Sequence, residues 1–167
     1  MKNNTGYTGF VASSFDIFHP GYVLMLKECR DHCGYLVAAL HDNPKTERPD
    51  KNSSIFSLHE RFLMLKSIRY IDEIAPYKSE DDLINLLKFY KPDIRFLGSD
   101  YNNLEMRKKI TGRMLCGNIH YVSRFHKYSS SGVRKNIYEA EKYKVDVDTY
   151  IKSGGPGSEL LRSEATV

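Results

Sequence analysis

The chain has 167 residues, 41% hydrophobic and 28% charged, with a net charge of +4. That is one domain's worth, able to bury roughly two-thirds of its unfolded surface. No run of about 18 apolar residues occurs, and Met1–Thr5 carries no apolar core for a signal peptide, so neither a membrane span nor a leader is expected. Three cysteines without framework spacing fit a reducing cytoplasm.

Strand-like and helix-like segments alternate along the sequence. Phe10–Ser13 reads as a first strand. A helix is predicted from Pro20 to about Cys33, with proline at its first position and Tyr22, Leu26, Cys29 and Cys33 on one face. Tyr35–Leu40 is a continuous apolar run, the pattern of a parallel strand buried on both faces. Residues 42–56 are polar and lack periodicity. Ser57-Leu58-His59-Glu60 is a capping box, followed by the stripe Leu58, Phe62, Leu65 and Ile68. Glu73–Pro76 reads as a short strand, and Ser79 caps a helix with Leu83, Leu86, Leu87 and Tyr90 inward. Ile94–Leu97 is the next strand. A weak helix over Leu104–Leu115 and a strand over Ile119–Val122 follow. The last helix begins near Ser130 and runs to about Tyr150.

The alternation predicts an α/β fold: a Rossmann-like parallel sheet of about five strands with helices on both faces. Residues 1–150 form a single domain in this reading, and the Gly-, Ser- and Pro-containing stretch 151–167 is a flexible tail. Ligands of such sheets bind outside the carboxyl ends of the strands.

One such end carries Ser13-Ser14-Phe15-Asp16-Ile17-Phe18-His19-Pro20-Gly21-Tyr22. A small-residue turn, then a histidine at a helix start with proline and glycine after it, brings free backbone N–H groups and the positive helix end to a phosphate. His19 can donate a charge-assisted hydrogen bond there, and Gly21 admits close approach of a nucleotide. Asp16 either holds Mg²⁺ through the triphosphate or orders the turn by Asx bonding. Arg61 and Arg69, eight residues apart, are expected on one helix face. Ser129-Ser130-Ser131 supplies an N-cap hydroxyl and a dipole end to the last helix. Cys29 and Cys33 read as buried reduced thiols rather than metal ligands. The twelve tyrosines form no stripe with basic residues that would suggest nucleic acid.

The order of these residues resembles the cytidylyltransferase family, and within it the glycerol-3-phosphate cytidylyltransferases. Their Phe-Asp and His-x-Gly-His signature is matched by residues 15–22, with Tyr22 in the place of the second histidine. Arg69-Tyr70-Ile71-Asp72-Glu73-Ile74, Leu97-Gly98-Ser99-Asp100-Tyr101 and Arg124-Phe125-His126-Lys127-Tyr128-Ser129-Ser130-Ser131 are similar to three further blocks. In the fourth, Lys127 replaces the family's glycine and Phe125 its first threonine.

The resemblance implies transfer of CMP from CTP to a small phosphorylated alcohol, with release of pyrophosphate and with Mg²⁺ accompanying the triphosphate. It implies catalytic roles for His19, Tyr22, Arg124 and Lys51, with Lys45 the competitor of Lys51. Nucleotide contacts would come from Ser13, Ser14, Phe15, Asp16, Gly21 and Tyr22 in the first block. Gly98 and Asp100 would add contacts from the third, and Arg124, Tyr128, Ser129 and Ser130 from the fourth. Arg61 and Arg69 would meet substrate phosphates. A homodimer is implied by the resemblance alone. Two alternatives stay open: an adenylyltransferase of the same fold, and a nucleotide-binding protein that has lost catalysis at Tyr22.

Overall fold

The apolar run at Tyr35–Leu40 organises the molecule, because a strand with hydrophobic residues at successive positions must be covered on both sides. In the computed structural model, which describes residues 6–154 (without the side chains of 104, 145–148 and 151), this run lies in β2 (Tyr35–His41). It lies beside β1 (Thr8–Ser13), and β3 (Glu73–Tyr77), β4 (Ile94–Gly98) and β5 (Asn118–Val122) complete one sheet. The spatial order is β3-β2-β1-β4-β5, and all four pairings are parallel. The expected five-stranded parallel sheet is therefore present.

Alternation along the strands divides the core in two. Val11, Leu36, Ala38 and Leu40 face one layer with Phe15, Leu26, Cys29 and Leu65. Phe10, Val37 and Ala39 face the other with Ala75, Tyr77, Leu83 and Leu87. Helices α1 (Pro20–Asp31) and α2 (Leu58–Lys66) cover the first face and α3 (Glu80–Tyr90) the second. Cys29 and Cys33 are free thiols inside the first layer, as expected of buried cysteines. Both predicted caps form: Ser57 and Glu60 exchange hydrogen bonds at the start of α2, as do Ser79 and Asp82 at α3.

The weak helix expected over Leu104–Leu115 is instead the five-residue α4 (Leu104–Lys108) and a separate 3₁₀ turn at Arg113–Leu115. Gly112, at φ 63°, introduces the second segment, and a left-handed residue cannot continue a right-handed helix. The irregular stretch 42–56 holds a single 3₁₀ turn at Pro44–Thr46.

Chain contacts divide the molecule into two units, Met1–Tyr128 and Ser129–Val167. The first contains the whole sheet. The second contains α5 (Ser130–Ser153), whose start Ser129 caps by accepting a hydrogen bond from Gly132 N at 3.0 Å. Helix α5 runs three residues into the stretch expected as a tail; residues 155–167 lie outside those described.

Helix α3 ends on Lys91, held at φ 45° and ψ 56° with its N–H on the Leu87 carbonyl. A side chain in this left-handed conformation costs free energy that glycine avoids. Lys91→Gly is expected to stabilise the protein by about 0.5–1 kcal/mol after the extra unfolded-state entropy of glycine is subtracted. Thermal unfolding checks this, with a midpoint higher by about 1–4 °C as the expected result.

Candidate active site

In a parallel sheet every strand delivers its following loop to the same edge. Here β1, β2, β4 and β5 deliver residues 14–19, 42–57, 99–103 and 123–128. The chain leaves β1 toward β2 on one side and later places β4 on the other. In such sheets a reversal of this kind is where the ligand crevice lies, here between the carboxyl ends of β1 and β4.

The β1–α1 loop reaches this crevice under strain. Phe15 and Ile17 both have φ of 49°, a conformation that costs about 1–3 kcal/mol for a bulky or β-branched residue. Three anchors hold it. Phe15 is fully buried in the core. Asp16, itself buried, accepts from the amides of Ile55 at 3.0 Å and Phe56 at 3.1 Å. Arg61, 1% exposed, donates to the carbonyls of Ser14, His41, Asp42 and Phe56. The loops after β1 and β2 are thereby fastened to each other and to α2.

These contacts correct two expectations. Arg61 is committed to backbone carbonyls in the interior, where it supports the loops rather than meeting a substrate phosphate. Asp16 bonds amides about forty residues away, a reach that neither the Mg²⁺ nor the Asx reading foresaw. Arg61 and Arg69 do not share a helix face either, since α2 ends at Lys66 with Ser67 as its cap. Arg69 precedes β3 and so lies at the amino edge of the sheet, opposite the crevice. There its guanidinium lies over the Tyr70 ring and donates to the Tyr70 hydroxyl at 3.0 Å.

His19 is the N-cap of α1. Its Nδ1 accepts the Gly21 N–H at 3.1 Å, and its carbonyl accepts the Tyr22 N–H. Pro20 has no N–H to offer. The N–H groups of Gly21 and Tyr22 at this helix start are thus engaged rather than free, and the ring's Nε2 is the donor left for an anion. With Nδ1 accepting, the neutral tautomer carries its proton on Nε2. Burial holds the imidazole below the usual histidine range, and the nearby His126 and Arg124 push the same way. An anion bound against Nε2 would reverse that tendency by favouring the charged ring.

Tyr22 stacks on His19 with ring centroids 4.5 Å apart, and it also touches Phe18 and Phe15. Its hydroxyl lies 3.5 Å from Ser13 Oγ, while Ser13 Oγ accepts weakly from Phe15 N. Tyr22 therefore shares the His19 surface and also packs on the core with Leu26 and Cys29, the face expected of it, with its hydroxyl turned toward the end of β1.

Gly98 and Asp100 lie at the end of β4 and in the 3₁₀ turn after it. A Cβ on Gly98 would meet nothing within 4 Å, so open space faces it. Arg124, after β5, pairs with Asp100 at 2.9 Å, and both side chains are largely exposed. Tyr128 is half-exposed, with its ring 5.5 Å from that of His126. Lys45 and Lys51 are exposed on the loop after β2. Ser129 and Ser130 belong to the second unit, at the start of α5.

The sheet edge thus brings together His19, Gly21, Tyr22, Gly98, Asp100 and Arg124, and removes Arg69. It also adds a residue that the motif reading passed over. His126 packs against Gly21 from the β5 loop: a Cβ built on Gly21 would fall 2.7 Å from its Cε1. Its only sequence signal was its place inside the fourth block.

Among the described residues no group of three or more His, Cys, Asp or Glu side chains is arranged for a metal ion. Mg²⁺ brought in by a triphosphate needs only one or two protein ligands, and the exposed Asp100 carboxylate suits that demand better than Asp16, whose oxygens face amides.

A parallel sheet that reverses beside a histidine-capped helix defines a Rossmann-type α/β architecture. The chain belongs to the cytidylyltransferase-like family, whose model matches residues 10–136. It is 32% identical over 129 residues to the FAD synthase of Picrophilus torridus, covering 75% of this chain and 91% of that protein. It is 28% identical to the bifunctional protein HldE of Helicobacter hepaticus, over 79% of this chain and 27% of the relative. With the ethanolamine-phosphate cytidylyltransferase of Dictyostelium discoideum it shares 37% identity, over 47% of this chain and 23% of the relative. The chain therefore spans about a quarter of the length of the latter two relatives. A lipopolysaccharide core biosynthesis protein from Thermoplasma volcanium shares the fold, with a TM-score of 0.60 at 24% identity over 72% of this chain and 98% of that one. Among the described residues no helix is long and apolar enough to cross a membrane.

Proposed function

We propose that this chain is a nucleotidyltransferase that moves CMP from CTP to a small phosphorylated alcohol, in the cytoplasm and as a homodimer. The observation that carries the reading is the His19 ring, capping α1 through Nδ1 and holding Nε2–H for an anion. An oxygen of the acceptor's phosphate attacks the α-phosphorus in line. The bond from that phosphorus to the bridging oxygen breaks, and its electron pair leaves with pyrophosphate. No covalent enzyme intermediate is needed, so the protein works by positioning and charge stabilisation.

His19 Nε2–H donates to an α-phosphate oxygen as charge builds there. Tyr22 and Gly21 shape the wall beside it, and Ser13, Ser14 and Phe15 set the path of the loop. Arg124 exchanges Asp100 for the triphosphate when the nucleotide binds, and Lys51 contributes from its loop. Gly98 leaves room for the base and Tyr128 flanks it. For Ser129 and Ser130 as pyrophosphate contacts the support is motif order alone. Asp100 would help to hold a Mg²⁺ brought by the triphosphate, which would neutralise phosphate charge there.

Adenylyl transfer is the second reading, favoured by the FAD synthase relative that this chain matches over most of its length. Nucleotide-dependent thermal shifts separate the two, because a ligand that binds only the folded state raises its stability. With Mg²⁺ present, CTP is expected to raise the melting temperature more than ATP or GTP does. A larger shift with ATP would favour the adenylyl reading. Pyrophosphate release against a panel of phospho-alcohols then identifies the acceptor. No release with any triphosphate and acceptor would leave nucleotide binding without transfer.

A further inference from the structure

We propose that His126 is a catalytic residue: it supplies the second imidazole of the site from the β5 loop, in the role left open by Tyr22. The inference rests on the nucleotidyltransferase reading and adds to it a residue outside the helix motif.

Three observations converge on His126. Two imidazoles close over Gly21, since a Cβ placed on it would lie 2.7 Å from His126 Cε1 and 2.8 Å from His19 Cε1. The two rings therefore approach the same point at the first turn of α1. Cε1 is bonded to both ring nitrogens, so the edge that His126 turns toward Gly21 carries polar atoms. Among the described residues its buried Nδ1 has no hydrogen-bond partner, a costly arrangement unless something arrives to use it. Tyr22 meanwhile offers stacking rather than a second charged donor. Its ring lies against His19, Phe15 and Phe18, and its hydroxyl turns to Ser13.

The fold explains how a residue more than a hundred positions away reaches this point. Glu28 of α1 accepts the Ser123 N–H at 3.1 Å and pairs with His120 at 3.0 Å, which pins the end of β5 to the middle of α1. Gly21 and Glu28 are about 10 Å apart along the helix axis, and the three residues from Ser123 to His126 span about that distance when extended. His126 thus arrives over the first turn. A phosphate between the rings would accept from His19 Nε2 on one side and from His126 on the other. The two donors would share the negative charge that grows on the non-bridging oxygens of the α-phosphate during attack. His126 also approaches His19 closely enough to disfavour its protonation, a repulsion that a bound anion relieves.

The test compares wild type, His126→Ala, and His126→Ala combined with Tyr22→His. The His126→Ala variant is expected to lose about 100-fold in kcat with KM for CTP within about 3-fold, the pattern of a donor used in the transition state. Restoring an imidazole on α1 through Tyr22→His should recover at least about 10-fold of that loss. In parallel, ¹⁵N-imidazole spectra of the wild type are recorded while CTP or inorganic pyrophosphate is added, and both His19 and His126 resonances should move. A kcat within about 3-fold of wild type for folded His126→Ala would overturn the inference. So would an unmoved His126 resonance at saturating CTP. If the wild type releases no pyrophosphate with any triphosphate, the transfer reading fails, and the spectra then decide alone whether His126 meets the nucleotide.

Discussion

Arg61→Ala is expected to destabilise the protein by about 3–5 kcal/mol, since each buried carbonyl left without its donor costs about 1–3 kcal/mol and local relaxation recovers part of the sum. The guanidinium is almost completely buried, and its hydrogen bonds end on four carbonyls from three stretches of chain: Ser14, His41 with Asp42, and Phe56. Truncation would leave those carbonyls without donors and open a void under the β1–α1 loop. That loop already carries Phe15 and Ile17 in a strained conformation, so it has little reason to keep its path once the clamp is gone. Arg61→Lys should rescue little, because one compact ammonium cannot replace a planar fork with five donors. Denaturant unfolding measures the loss. A protein as stable as wild type, with only KM raised, would return Arg61 to the substrate phosphates.

His19→Asn should have the largest effect on turnover with a small effect on stability. Asparagine is among the best N-cap residues, so its side chain can take the Gly21 N–H that His19 Nδ1 now accepts, and stability should fall only by about 0.5–1.5 kcal/mol, for the lost stacking on Tyr22. What disappears is Nε2–H, the donor of the α1 turn left over once the Gly21 and Tyr22 amides are engaged. Loss of such a donor typically lowers kcat by about 10²–10³. Steady-state rates beside melting curves separate the two roles of the ring. Unchanged turnover in a folded His19→Asn protein would make His19 a cap and nothing more.

Most of the architecture was legible because its causes are local. The apolar run at Tyr35–Leu40, the capping box at Ser57–Glu60 and the cap at Ser79 act within a few residues of chain, and their elements appeared where those signals stand. The site at the end of β1 was legible for a related reason. A strand, a turn, and a histidine before proline and glycine specify a capped helix start whatever surrounds it. The loop's strain was not legible, since Ser14-Phe15-Asp16-Ile17 contains no glycine to announce a left-handed backbone.

By itself, then, the sequence determined the elements, their alternation, the parallel sheet they imply and the imidazole at the start of α1. Only the tertiary structure decided the partners. Arginines at 61 and 69 look alike in sequence; the end of α2 at Lys66 sends one into the interior and the other to the far edge of the sheet. Asp16 finds its amides at residues 55 and 56 because β1 and β2 are adjacent and deliver their loops to one edge. His126 meets Gly21 because Glu28 draws the end of β5 onto α1. Local free energies write the first set of facts into neighbouring residues, whereas the second depends on which distant loops the strand order makes neighbours.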